Sequence, residues 1–110
     1  RYDDMLGFRM PGGGESVQDV ADRVLPCVEG LIADLLAGPS TQTLEIAIVA
    51  NNTVNRVLLA CAAGLGPAGY MRFEQAFGAI TRIDIGDRWS RADPWITARI
   101  GLANWQPPAD

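Results

Sequence analysis

The chain has 110 residues, a formal net charge of −4, 48% hydrophobic residues and 20% charged ones. That length holds one domain with a limited core, so residues 1–110 are read as a single unit, and the balance of apolar and charged residues excludes a disordered chain. No apolar run approaches the ~18 residues needed to cross a bilayer, and the nine cations, all arginines scattered singly, form no basic stripe of the kind that grips nucleic acid.

In chain order, residues 1–14 read as an irregular lead-in. Arg1-Tyr2-Asp3-Asp4 lacks the pattern of a secretory leader, which predicts a cytoplasmic protein, and the absence of a starting Met suggests a trimmed or processed product or a fragment. Met10-Pro11-Gly12-Gly13-Gly14 has no hydrophobic period. A helix is predicted next. Ser16 is a good N-cap, Asp19 stands where a shortened capping box needs its acid, and Val17, Val20, Val24, Val28, Leu31 and Leu35 step by three or four along one face. Pro26 should bend that helix and Gly38-Pro39 should end it.

Leu44-Glu45-Ile46-Ala47-Ile48-Val49-Ala50 is short, branched and almost wholly apolar, which predicts a strand covered on both faces within a parallel sheet. Asn51-Asn52-Thr53 can cap a second helix from Val54 to about Ala63, which Gly64-Leu65-Gly66-Pro67 should stop, with a short helical turn near Ala68–Met71. A strand is predicted over Ala79–Ile85, with Ala79, Thr81, Ile83 and Ile85 on one face, and Asp84 either solvated or paired with Arg82. After a polar loop from Asp87 to Pro94, residues 95–102 read as a last strand and Pro107-Pro108 as a loose end. Cys27 and Cys61 read as small buried hydrophobes, and Trp89, Trp95 and Trp105 as packing under the tail or a dimer contact.

The order helix, strand, helix, strand, strand is an α/β pattern, and an incomplete one. A buried-type strand at 44–50 needs neighbours on both edges, so the sheet should want a partner strand from outside the chain, which predicts a homo-oligomer or a missing N-terminal half. With no histidine and two distant cysteines there is no zinc spacing and no other metal cluster, and no cofactor is expected.

Chemistry points to the turn after that strand. In open α/β sheets ligands gather at the carboxyl ends of strands, and a helix N-terminus there presents free N–H groups and partial positive charge. Arg56, one turn into the helix, can lean toward the same point, so residues 51–56 form a candidate phosphate or carboxylate site, against the alternative of an ordinary N-cap beside a surface arginine.

Pro11-Gly12-Gly13-Gly14-Glu15-Ser16, Arg23 seven residues after Ser16, and Ile48-Val49-Ala50-Asn51-Asn52-Thr53-Val54-Asn55-Arg56-Val57-Leu58-Leu59 together resemble the C-terminal half of the histidine phosphatase (phosphoglycerate-mutase-like) superfamily. Ala79–Ile83 and Leu102-Ala103-Asn104 are similar to its closing strands, so the resemblance spans most of residues 10–105, with an extra glycine before Glu15. It implies a partial three-layer sandwich in which a mostly parallel sheet is flanked by helices. It also implies phosphomonoester hydrolysis or phosphoryl transfer in a complete protein, and a phosphorylated small molecule or phosphate as partner. By position, Asn51 takes the place of the second active-site histidine, Asn52 that of a pocket-lining residue, and Arg56 and Arg23 those of substrate-contacting arginines, whereas Glu15 and Ser16 have a structural role.

The departures bear on activity. The R-H-G segment that carries the family's nucleophile is absent, and the general acid has no counterpart. Asn51 can donate a hydrogen bond to a phosphate oxygen but can neither carry positive charge nor become phosphorylated. No residue of the chain is therefore assigned as catalytic. Two readings follow: an inactive fragment or degenerate member of a phosphatase or mutase, or a non-catalytic module that binds a phospho-ligand or a protein partner.

Overall fold

The computed structural model describes residues 14–38, 44–86 and 89–108. The lead-in before Gly14, the helix stop at Pro39 and the loop start at Asp87 lie outside the described residues.

Helix α1 runs from Val17 to Leu36. Its start is fixed by a reciprocal cap: the Ser16 hydroxyl accepts from the Asp19 N–H at 3.0 Å, and the Asp19 carboxylate accepts from the Ser16 N–H at 3.0 Å. Val20, Ala21, Val28 and Ile32 form the buried stripe, while Leu31 is 45% exposed and Cys27 is exposed. Two expectations are corrected here. Beyond Pro26 the stripe drifts around the helix so that Ile32 replaces Leu31 inside, and Cys27, ~100° around the axis from the buried Val28, faces solvent.

Helix α2 spans Asn52–Ala62, two residues earlier than its apolar run suggests, because Asn51 is the N-cap. Val57 and Leu59 are fully buried, and Val54, Leu58, Ala60, Cys61 and Ala62 are buried around them. Each large side chain so removed from water contributes about 1.5–3 kcal/mol. Gly64 and Gly66, at φ of +79° and +68°, take left-handed backbone that turns the chain out of α2 and into a 3-10 helix over Pro67–Arg72.

Two apolar clusters hold these parts together. Val20, Val28, Ile32, Val54 and Leu58 form one, with Ile83, Ile85, Trp89 and Trp95 packed against it. Ala21, Val57, Cys61 and Tyr70 form the other, flanked by Val17, Leu25 and Trp95. Trp95 also donates from Nε1 to the Glu29 carboxylate at 2.8 Å, which pins the tail to α1. Trp89 and Trp95 thus pack as expected, whereas Trp105 is 42% exposed.

Strands β1 (Ile80–Asp84) and β2 (Arg99–Trp105) pair antiparallel, with Ile80 opposite Trp105 and Asp84 opposite Arg99. Residues 79, 81, 83 and 85 alternate inward as their period requires, and Arg82 pairs with Asp84 at 3.1 Å on the outer face. The last strand begins later than its sequence suggests. Residues 94–97 form turns, with Ile96 N–H on Asp93 and Ala98 N–H on Trp95 carbonyls, so the ladder starts only at Arg99.

The sheet itself is a correction. Among the described residues it has two strands and is antiparallel, not mostly parallel, and residues 44–50 join no ladder. A parallel strand needs partners on both edges to satisfy its backbone, and no described segment lies beside 44–50 to provide them. Among the described residues the architecture is a small α/β arrangement of two helices, a 3-10 helix and an antiparallel strand pair.

Candidate anion site at the N-terminus of helix α2

Asn51 has extended backbone, at φ −75° and ψ 171°, and its side-chain oxygen accepts from the Val54 N–H at 3.0 Å. Its backbone carbonyl accepts from Asn55 N–H at 3.1 Å, and Asn55 Nδ2 reaches back to the Ala50 carbonyl at 3.3 Å. The N–H groups of Asn52 and Thr53 have no acceptor among the described residues, Asn51 is exposed, and the first turn of α2 contains no acid. Among the described residues these donors at the positive end of the helix therefore have no partner, beside the exposed Asn51.

Arg56, one turn into α2, supplies a full positive charge, and its geometry is fixed from several sides. Nε donates to the carbonyls of Tyr70 at 3.2 Å and Phe73 at 2.8 Å. One terminal nitrogen donates to Asn52 Oδ1 at 3.4 Å, the other reaches Met71 Sδ at 3.5 Å, and the guanidinium carbon stands 5.2 Å from the centre of the Tyr70 ring. Every one of these partners is neutral, so the charge itself is not compensated by a carboxylate among the described residues. The guanidinium thus clamps the 3-10 helix to α2 and adds positive potential to the same end of the helix.

Asn52 turns inward rather than toward the turn. Its Nδ2 donates to the Gln75 carbonyl and its Oδ1 receives Arg56. From Gln75, a residue buried despite its amide, the network continues: Nε2 to the Ala79 carbonyl at 3.1 Å, and Oε1 from the Thr81 hydroxyl at 2.8 Å. Asn104 closes it, accepting from Ala76 N–H at 2.8 Å and donating its own N–H to Thr81 Oγ1 at 3.2 Å, from left-handed backbone at φ 52° that asparagine tolerates. Gln75, Thr81 and Asn104 were not singled out from the sequence as site residues. They lie apart in the chain with no periodic signal, and only the antiparallel pairing of β1 with β2 brings them together.

Arg23 stands elsewhere in the arrangement. It forms a two-pronged pair with Glu15, Nε to Oε2 at 3.1 Å and a terminal nitrogen to Oε1 at 2.9 Å, both side chains being exposed. That pair raises the arginine pKa above its ordinary value, by hydrogen bonding first and charge attraction second. No hydrogen bond among the described residues links Arg23 to the α2 turn. Of the four residues expected at the site, the structure joins Asn52 and Arg56 directly, sets Asn51 at the mouth of the turn, and holds Arg23 on Glu15.

Among the described residues no three His, Cys, Asp or Glu side chains cluster as metal ligands, and no helix is long and apolar enough to cross a membrane. Burial, and then the nearby Glu29, push the Cys61 thiol up to about 11, which keeps it protonated and unreactive near neutrality.

An acid-free helix N-terminus with an arginine one turn on is a local arrangement that suits an anion. The comparison with protein families gives the family. The family model of the histidine phosphatase superfamily (branch 1) matches residues 2–96, and the chain belongs to that superfamily. No curated protein matches the chain, and no solved structure does.

Proposed function

We propose that this chain holds the phosphate of a phosphorylated small molecule at the Asn51 turn and performs no phosphoryl transfer of its own. The observation that carries the reading is the combination at one helix end: among the described residues the Asn52 and Thr53 N–H groups have no acceptor and no carboxylate pairs with Arg56, and Asn51 is exposed beside them. Together they favour an anion with several acceptor oxygens. Asn51 Oδ1 is held by the helix cap, which leaves its Nδ2 as the side-chain donor for a ligand oxygen.

The chemistry of turnover is missing for a simple reason. Phosphohistidine needs an imidazole, and none of the 110 residues is histidine. Loss of one group aimed at a transferring phosphoryl raises the barrier by ~2.7–4 kcal/mol, and loss of the nucleophile removes the covalent route altogether. In this reading the family's phosphatase or mutase activity requires an imidazole from outside these residues, and the chain corresponds to the part of the domain that follows the nucleophile.

Hydrolysis of an aryl phosphate by the purified chain is expected at background, while inorganic phosphate binds saturably. Replacing Asn51→His should tighten phosphate binding without creating turnover. Steady hydrolysis that survives repurification overturns the catalytic half of the proposal, and absence of any phosphate binding overturns the other half.

A second reading, a protein-interaction module, is favoured by a different observation: Leu44, Ile46, Ile48 and Val49 are all exposed just before the turn.

A further inference from the structure

Gln75 follows the 3-10 helix and is only 7% exposed, and burial of an amide costs free energy unless its polar atoms find partners. An apolar side chain of similar volume could fill the same space without any. The amide instead makes two directional bonds: Nε2 donates to the Ala79 carbonyl at 3.1 Å, and Oε1 accepts from the Thr81 hydroxyl at 2.8 Å. The second bond decides which way the amide points. Thr81 Oγ1 already accepts from the Asn104 N–H at 3.2 Å, so its single proton goes to Gln75. Ala79 N–H closes a turn on the Ala76 carbonyl, and Ala76 N–H donates to Asn104 Oδ1, so residues 75–79 are held on the β1–β2 pair.

We propose that Gln75 is the positioning residue of the anion site on α2, acting through Asn52; the inference rests on the phosphate reading and adds to it. The Gln75 carbonyl accepts from Asn52 Nδ2, and Arg56, which can only donate, takes Asn52 Oδ1 at 3.4 Å. Both ends of the Asn52 carboxamide are thereby claimed. An asparagine side chain at a helix start otherwise competes for the nearby backbone N–H groups. Held on Gln75 and Arg56, it stays off the Asn52 and Thr53 N–H groups, which have no acceptor among the described residues and are left to a ligand.

The same carboxamide sets Arg56. A guanidinium bonded through Nε alone can pivot about that nitrogen; the bond from a terminal nitrogen to Asn52 Oδ1 adds a second fixed point and so sets the plane of the group. A chain of hydrogen bonds thus runs from Asn104 on β2 through Thr81, Gln75 and Asn52 to Arg56. The site is shaped before a ligand arrives, so its side chains need not be ordered at the moment of binding. A change on the strand pair therefore reaches the start of α2 through bonds that touch no ligand.

Thr81→Val tests the chain by removing one hydroxyl at almost constant shape. The affinity for inorganic phosphate, read from the Asn52 and Thr53 amide resonances, should fall roughly three- to tenfold in Thr81→Val. Thr81→Ser keeps the hydroxyl and should bind as the wild type does. Ser16→Ala, which weakens the cap of α1, should leave phosphate affinity unchanged and so separates positioning from a general loss of stability. In the unaltered chain without phosphate, the Asn52 and Gln75 carboxamide protons should already exchange slowly. Equal affinity in the wild type and Thr81→Val, an equal fall in Thr81→Ser or Ser16→Ala, or fast exchange of the Asn52 carboxamide before phosphate is added would each overturn the positioning role and leave the phosphate reading intact. A wild-type chain that binds no phosphate overturns that reading and this inference with it.

Discussion

Helix α2 and the seven residues that lead into it both draw on Val, Leu and Ala, yet end in opposite circumstances. Val57, Leu59 and Ala60 lose all exposure, while Val49, two residues before the cap, remains 98% exposed. The difference lies in the backbone. A helix satisfies its own N–H and C=O groups and needs only one apolar face to dock, which α1 and the 3-10 helix supply. An extended segment cannot satisfy itself, and without a neighbour its apolar side chains gain little from being apolar. Hydrophobicity alone therefore does not decide burial here; the availability of a partner does.

The sharpest way to break this contrast is to truncate one residue in each region. Leu59→Ala should destabilise the fold by about 2–5 kcal/mol, by lost burial and the cavity left behind. Val49→Ala should stay within about 0.5 kcal/mol, as expected of a surface position. Urea unfolding of the dilute protein measures both, and equal losses at the two sites would contradict the account.

Next in size is the clamp that ties the 3-10 helix to α2. Arg56→Ala strands the Tyr70 and Phe73 carbonyls and should cost about 1–3 kcal/mol, with faster amide exchange across residues 70–76. Exchange that rises equally in α1 would show that the clamp is not local. Ser16→Ala opens the reciprocal cap of α1 and should cost about 1 kcal/mol in the same unfolding assay.

The two cysteines sharpen the comparison by pH. Cys61, whose thiol pKa of about 11 in the fold exceeds its ordinary 9.0, holds a proton that the unfolded chain releases. Its contribution is complete below pH 9 and lost as pH rises toward 11, so stability should fall over that interval and Cys61→Ala should flatten the fall. A thiol reagent should modify the exposed Cys27 at once and Cys61 only on unfolding. Smallest of all, Arg23→Ala removes an exposed ion pair with Glu15 and should leave the urea midpoint unchanged.

Local chemistry in the sequence was enough to find the two described helices and their N-terminal caps. Ser16 with Asp19, Asn51, and the glycines at 64 and 66 act over three or four residues, and the structure uses each of them where the sequence suggests. The alternation along 79–85 was legible for the same reason. Sheet membership was not, because it depends on distant partners: the run 44–50 reads as a sheet-interior strand and stands unpaired among the described residues. At the site, Asn51 and Arg56 were visible as a cap and a cation one turn on. That Arg56 would be claimed by two carbonyls, and Asn52 by Gln75, follows from how the loop after the 3-10 helix folds back, which no spacing in the chain encodes.

The central claim, that the α2 turn binds phosphate through its own backbone, is tested most directly by titrating inorganic phosphate into labelled protein and following amide resonances. The account predicts saturable shifts centred on Asn52 and Thr53, weakened in Arg56→Gln and absent with a neutral solute of similar size. Shifts spread evenly over the arginines of the surface, or no shift at these two amides at saturating phosphate, would contradict it.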